Sequence, residues 1–321
     1  MATGDQQIGR REAIGLGIEG TAGTAVAPQT WLRWLDNGVQ PKTNVIENES
    51  AMGVVDQIND SEVTSVWAEG TIGGKVTSHG IGFLMTGFFG SPTTGAAVSG
   101  IYPHTFVMNQ SSKPAPALTI VRSNPLEDVQ HAYGVVDTLE ISAETDDWVM
   151  VSSAIKARAG ETASLTPAFI AEKEFTSKHI TVKLAPAPGD LAGASALSAR
   201  SVKLNLERPS EAHNPLGTFD QPEFDRGSFT VSGELVIRYT DTQYETDFIN
   251  NAIKALEIKL ANGDDSLTFT CAQVRYRELE RSSDRDEVVT QTLNIKAEYS
   301  LSAGKSVEAV LKNTRATYEA A

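Results

Sequence analysis

The sequence predicts a mainly β protein: a tandem duplication of one β-rich domain, each copy with a short α-helix. Three observations predict it. TLEISAE at Thr138–Glu144 returns as TLNIKAE at residues 292–298, five of seven letters unchanged and 154 positions on. Both copies alternate apolar and polar residues, the period-2 pattern of a strand with one buried face. Each half also reads in one order: strand, long polar loop, strand, short helix, paired strands. Finally, 321 residues suit two domains of about 150 better than a single core.

Residues 1–30 are rich in Gly, Ala and Thr and read as an N-terminal arm. Gly15, Gly17 and Gly20 spell GxGxxG, yet no strand precedes the motif and no long helix follows. Tightly packed backbone is the expected use of those glycines. The first domain then spans 31–160. A short apolar strand at 31–35 leads into a polar stretch, 37–65, too long for a routine connection. The strand at 69–76 alternates, with Ile72 and Val76 inward and Thr71 and Lys75 outward. IGFLMTGFF at 81–89 is apolar on all sides and bounded by glycines, which predicts a short buried helix. Strands at 105–108, 117–122, 133–144 and 148–158 complete the domain.

A linker at 161–174 leads to the second domain, 175–321. Strands are expected at 178–184 and 200–207, a second polar loop at 208–226 and a strand at 229–237. In the last, Val231, Gly233 and Leu235 align with Ile72, Gly74 and Val76. Tyr244, Phe248, Ile249, Ala252, Ile253 and Leu256 fall at helical spacing. Strands at 256–260, 267–278 and 288–300 close the chain.

Composition narrows the function. Hydrophobic residues make up 40% and charged residues 21%, as in packed globular proteins. No apolar run approaches the roughly 20 residues of a membrane helix, and MATGDQQIGRREAIG has no apolar core of the kind a secretory signal carries. The single cysteine, Cys271, rules out an internal disulfide and fits manufacture and use in a reducing cytoplasm. A net charge of −14, shared by both halves, argues against DNA binding by counterion release, which needs clustered Lys and Arg. His79, His104, His131, His179 and His213 are scattered, with no ligand-spaced pair. Neither GxSxG, a P-loop nor a zinc-protease motif is present. The expectation is no catalysis, no metal and no cofactor. Trp31 and Trp34 are core or interface anchors, at least one of them core.

Several segments carry a family resemblance. They are GRREAIGLGIEGTAGTAVAPQTWLRWL, then SVWAEGTIGGKVTSHGIGFLMTGFFG, YPHTFVMNQSSKPAPALTIVRS and YGVVDTLEISAE. RSVKLNLERP and FTVSGELVI echo them in the second half. Over most of its length the chain resembles the tail tube (major tail) proteins of long non-contractile-tailed bacteriophages, in a duplicated-domain form. The resemblance implies two tandem tail-tube-type β-sandwich or half-barrel domains, each with a short flanking α-helix. It also implies a virion structural protein that joins sheets between neighbours into rings and stacks the rings into the phage tail tube. Two domains per chain imply a homo-oligomeric, trimeric ring with pseudo-sixfold symmetry. Tail tip, terminator and tape measure proteins would be its partners, and double-stranded DNA would pass through the lumen, on its way to the host, without specific binding. The implied location is the virion tail, assembled in the host cytoplasm, with no membrane contact. The alternative is a carbohydrate- or receptor-binding β-sandwich protein of the virion surface.

Within that architecture, alternation nominates lumen-facing residues. They are Glu69, Thr71 and Lys75; Thr138, Glu140 and Ser142; Thr230, Ser232 and Glu234; and Asn294 and Lys296. Hydroxyls and carboxylates there would give a net-negative wall that repels phosphate. The polar loops nominate inter-ring contacts: Gln40, Lys42, Asn48, Glu49, Asp56, Asn59 and Asp60 in the first, and Glu211, Asn214 and Asp220 in the second.

Overall fold

A computed structural model describes residues 8–110, 116–282 and 285–320. The first half opens with β1 (Ala13–Ile18), β2 (Thr30–Leu32) and β3 (Trp34–Asn37). A hairpin of β4 (Gln40–Asn48) and β5 (Asp60–Lys75) leads into helix α1 (Gly80–Phe89). Strands β6 (Thr93–Thr94), β7 (Tyr102–Val107), β8 (Leu118–Ser123) and β9 (Asp128–Val136) follow. Next come β10 (Thr138–Glu144), β11 (Met150–Arg158) and β12 (Gly160–Ala163). The second half holds β13 (Ile180–Ala185), β14 (Ala199–Glu207), β15 (Ser210–His213), β16 (Glu223–Arg226) and β17 (Thr230–Arg238). Helix α2 (Gln243–Ile249) precedes β18 (Lys254–Asn262), β19 (Asp265–Arg281), β20 (Thr290–Ala297) and β21 (Glu308–Asn313).

One antiparallel sheet runs through both halves in the order β4–β5–β11–β10–β14–β17–β20–β19, with β3 beside β4 on β5. Its inner face carries the apolar half of each alternation: Leu139 and Ile141 on β10, Leu204 and Leu206 on β14, Leu293 and Ile295 on β20 are all buried. A second sheet, β2–β1–β8–β9–β12, backs the first half. Its counterpart, β13–β18–β19–β21–β7–β6, backs the second. Here β21, near the end of the chain, pairs with β7 of the first half. Tyr318 continues this contact, its ring 5.3 Å from Phe83 and 4.8 Å from His104. Mainly β architecture, with one α-helix in each half among the described residues, is therefore observed.

Helix α1 is buried along its whole length because it packs on β1, β9, β10 and β7. This is why its sequence shows no polar face. Two small residues admit close neighbours: a Cβ on Gly82 would lie 2.2 Å from the Tyr318 ring, and one on Gly87 2.7 Å from Leu118. Distant charges hold both helix ends. The Glu172 carboxylate accepts from the backbone N–H of His79 at 3.1 Å and of Gly80 at 2.9 Å. At the other end Arg226 donates to the carbonyl of Gly87 at 3.1 Å. Anion at the N-terminus and cation at the C-terminus both suit the helix dipole. Burial, with a smaller push from Arg208, lowers the Arg226 guanidinium to about 10, which still leaves it charged.

Several expectations need correction. The arm expected at 1–30 is, over Ala13–Ile18, a fully buried strand between β2 and β8; residues 1–7 lie outside the described ones. AIGLGI lacks alternation because both its faces are covered, and Gly17 lets the carbonyl of Ala27 approach to 2.7 Å of where a Cβ would sit. Neither polar stretch is a loop: each is a β-hairpin, β4–β5 and β15–β16. The linker at 161–174 supplies the Glu172 cap and begins within β12. Helix α2 stops at Ile249, because Asn251 adopts a positive φ of 50° that ends a helix, and Leu256 lies in β18.

The two halves repeat their pairings, but not at the spacing the letters suggested. β5 sets Gly70 opposite Ile155, and β17 sets Gly233 opposite Ile295. The hairpins end on Asn48 opposite Asp60 and His213 opposite Glu223. Helix α1 starts at Gly80 and α2 at Gln243, each ten residues past its glycine. Gly233 therefore corresponds to Gly70, not Gly74. TLNIKAE on β20 takes the place of β11, next to β17, whereas TLEISAE on β10 lies between β11 and β14. Half-buried strands share one alternation, so the echo signals strand type and not matching position.

Candidate functional site

The eleven nominated lumen residues fall on one face of the long sheet. Residues directly opposite in antiparallel strands share a face, and the register joins them in transverse rows. Glu140 faces Asn205, which faces Ser232, which faces Lys296. Ser142 faces Lys203, then Glu234, then Asn294. Thr138 faces Glu207 and then Thr230. On β5, Lys75 faces Met150, itself opposite Ser142, while Thr71 faces Ala154 and Glu69 faces Lys156. All eleven are half-buried or exposed.

Charge on this face is mixed: Glu69, Glu140, Glu144, Glu207, Glu234, Glu278 and Glu280 share it with Lys42, Lys75, Lys156, Arg158, Lys203, Lys296 and Arg275. The cations come largely from β11, β14 and β19, strands whose outer faces had not been assigned. Many are neutralised in place. Lys203 lies 2.7 Å from Glu140 and Lys75 3.5 Å from Glu174. Lys75 also stands 3.6 Å above the Trp148 ring. Arg275 and Arg277 grip Glu298 at 3.0 and 2.7 Å. Desolvation alone would raise the Glu298 carboxyl, but hydrogen bonds from Gln273 and Arg275 and the two arginine charges hold it below its usual range.

The nominated inter-ring residues lie on the two hairpins. Gln40, Lys42, Asn48, Asp60 and Glu211 are on strands; Glu49, Asp56, Asn59, Asn214 and Asp220 are at the tips. All are exposed except half-buried Asn214, which donates to the Phe219 carbonyl at 3.1 Å. The larger tip is closed by Gln57 to Glu49 (2.9 Å) and Asn59 to the Ser50 carbonyl (2.6 Å). The hairpins touch where Val66 donates its N–H to the Phe219 carbonyl at 3.0 Å. The tips also carry exposed apolar side chains that the sequence reading does not nominate. Met52, Val54, Val55 and Ile58 stand in solvent at the first tip, and Leu216 and Phe219 at the second. Such clustered apolar exposure marks an interaction surface, and the run AMGVV inside a polar stretch was the available signal.

The outermost strands of the long sheet are unpaired along one edge. Among the described residues β4 pairs only with β5, and β19 has no second neighbour beyond Val274, where β18 leaves it.

The sequence profile of the phage tail tube protein family matches residues 9–297. The chain belongs to that family. It is thus a structural component of a phage tail. No curated protein matches the chain. One solved structure that does resemble it is a chain from the virion of a native gene transfer agent particle. The two are 10% identical, with a TM-score of 0.31, over 39% of this chain and 95% of that one.

Burial pushes the Cys271 thiol up to about 12, far from a reactive thiolate. His104, on β7, lies 2.9 Å through Nδ1 from the Thr94 hydroxyl and donates from Nε2 to the Arg315 carbonyl (2.9 Å), so it ties β6 to the segment after β21. Among the described residues no three metal-binding side chains gather. Trp31 is a buried core residue, and Trp34 is half-buried, donating to the Glu12 carbonyl at 2.8 Å.

Proposed function

We propose that the chain carries one tube unit twice and that three chains close into a pseudo-sixfold ring. The units run from β1 to β12 and from β13 to β21, joined by residues 164–174. Rings stack into the tail tube, and the polar face of the long sheet lines its lumen. The observation that carries this is the sheet itself. It crosses the boundary between units without interruption at β10–β14 and presents an open edge at each end. An open edge is a template for another strand, and joining edge to edge around an axis removes both.

The mixed lumen suits passage of DNA. A cation already paired with a carboxylate within 4 Å, as Lys203 and Arg275 are, releases fewer counterions on meeting a phosphate. Duplex DNA then slides without fixed contacts on its way to the host. The exposed apolar tips of the hairpins reach the next ring, and the end rings meet the tail tip, terminator and tape measure proteins. Assembly takes place in the host cytoplasm.

Electron microscopy of the purified protein after concentration tests the proposal. Hollow filaments with threefold rings support it; a monodisperse 34 kDa monomer under all assembly conditions refutes it.

A further inference from the structure

We infer that the contact between neighbouring chains of a ring is an antiparallel strand pair in which Leu279 of one copy faces Pro41 of the next, with Glu278 opposite Lys42 and Glu280 opposite Gln40. The inference rests on the ring proposed above, and fixes its register.

The junction inside the chain supplies the template. There β10 meets β14 with Thr138 opposite Glu207, Leu139 opposite Leu206 and Glu140 opposite Asn205. The equivalents of these strands are the two open edges. Glu140 faces Ser152 on β11 as Glu280 faces Thr292 on β20, so Leu139 corresponds to Leu279. On the other side Glu207 faces Thr230 on β17 as Lys42 faces Trp67 on β5, so Leu206 corresponds to Pro41. Carrying the internal register across gives the stated pairs.

Backbone direction agrees. In the template Arg208 donates to the Asp137 carbonyl at 2.8 Å and Thr145 to the Arg200 carbonyl at 3.0 Å. On β19, Ser282 donates inward to Thr290; alternation then turns the N–H groups of Leu279 and Arg281 to the open edge. On β4, Gly38 donates inward to Thr71, which turns Val39 and Pro41 outward. Face direction agrees too: Glu278 and Glu280 lie on the face of Asn294, and Gln40 lies on that of Glu69.

Charge adds selectivity. Glu278 meets Lys42, an opposite-charge cross-strand pair, where the internal junction has threonine and glutamate. Proline at position 41 has no N–H, so the ladder lacks one bond at Leu279. Proline on an edge strand is also how proteins restrain premature pairing, which lets subunits remain separate before a ring closes.

The test is disulfide trapping in the assembled full-length protein, because Cys271 is buried and leaves added thiols as the reactive ones. Glu280→Cys with Gln40→Cys should give covalently linked chains on a denaturing gel under mild oxidation. Either single variant, and the displaced pair Glu280→Cys with Lys42→Cys, should give at least fivefold less. Equal or greater linking in the displaced pair, or none in the matched pair, overturns the register when microscopy of the same sample shows rings. A sample without rings overturns the ring as well.

Discussion

Lys203 Nζ lies 2.7 Å from Glu140 Oε2, across the line where β10 of one half pairs with β14 of the other. The contact is diagonal, since Lys203 faces Ser142 and Glu140 faces Asn205. It sits on the polar face, while beneath it Leu139, Ile141, Leu204 and Leu206 close the same junction from the buried side.

Apolar packing, not this ion pair, should hold the junction. Both partners are partly exposed, so Lys203→Ala should cost less than about 1 kcal/mol. Leu206→Ala, with no exposed surface, should cost about 2–5 kcal/mol. Urea denaturation of the two variants checks the order; comparable losses would show that charge carries the joint.

The hairpin tip should matter for assembly and not for folding. Replacing residues 49–59 by an Asn-Gly turn removes a segment that is exposed throughout, so the melting temperature should stay within about 3 °C. Filament formation, read by pelleting and microscopy, should be lost. Val55→Asp should weaken it in the same direction.

Helix α1 should not tolerate a side chain at Gly82. A methyl there would meet the buried Tyr318 ring at 2.2 Å, and overpacking of this kind costs about 1–3 kcal/mol. Gly82→Ala should therefore lower the thermal midpoint, while Gly189→Ala, which meets nothing within 4 Å, should not.

Acid should destabilise the fold through buried histidines. Desolvation lowers the pKa of His104 and of His131 from 6.5. A base whose folded pKa is depressed binds protons more readily when unfolded. Its contribution is therefore complete above the unfolded value and is lost as pH falls from about 6.5 towards the folded values. The melting temperature should fall between pH 7.5 and 5.5, and His104→Gln should shrink the fall. An unchanged slope in that variant would assign it elsewhere.

Legibility followed local pattern. Alternation made β10, β17 and β20 readable, and IGFLMTGFF announced α1. AIGLGI hid because a strand covered on both faces does not alternate, and QPKTNVIEN hid for the opposite reason, all nine residues of β4 being exposed. On the polar face the nominated residues do share one surface, but their neighbours on β11 and β14 were missed. Which strands lie side by side is a long-range fact: β7 pairs with β21, about two hundred residues away, and no local pattern encodes that.

The central claim is that the long sheet, joined edge to edge between chains, forms the wall of a tube. Cryo-electron microscopy of an assembled filament tests it most directly. The account expects three chains per ring, β19 of each beside β4 of the next, and Glu140, Ser232 and Lys296 facing the lumen. A ring whose sheets turn that face outward, or whose chains meet without strand pairing, would contradict it.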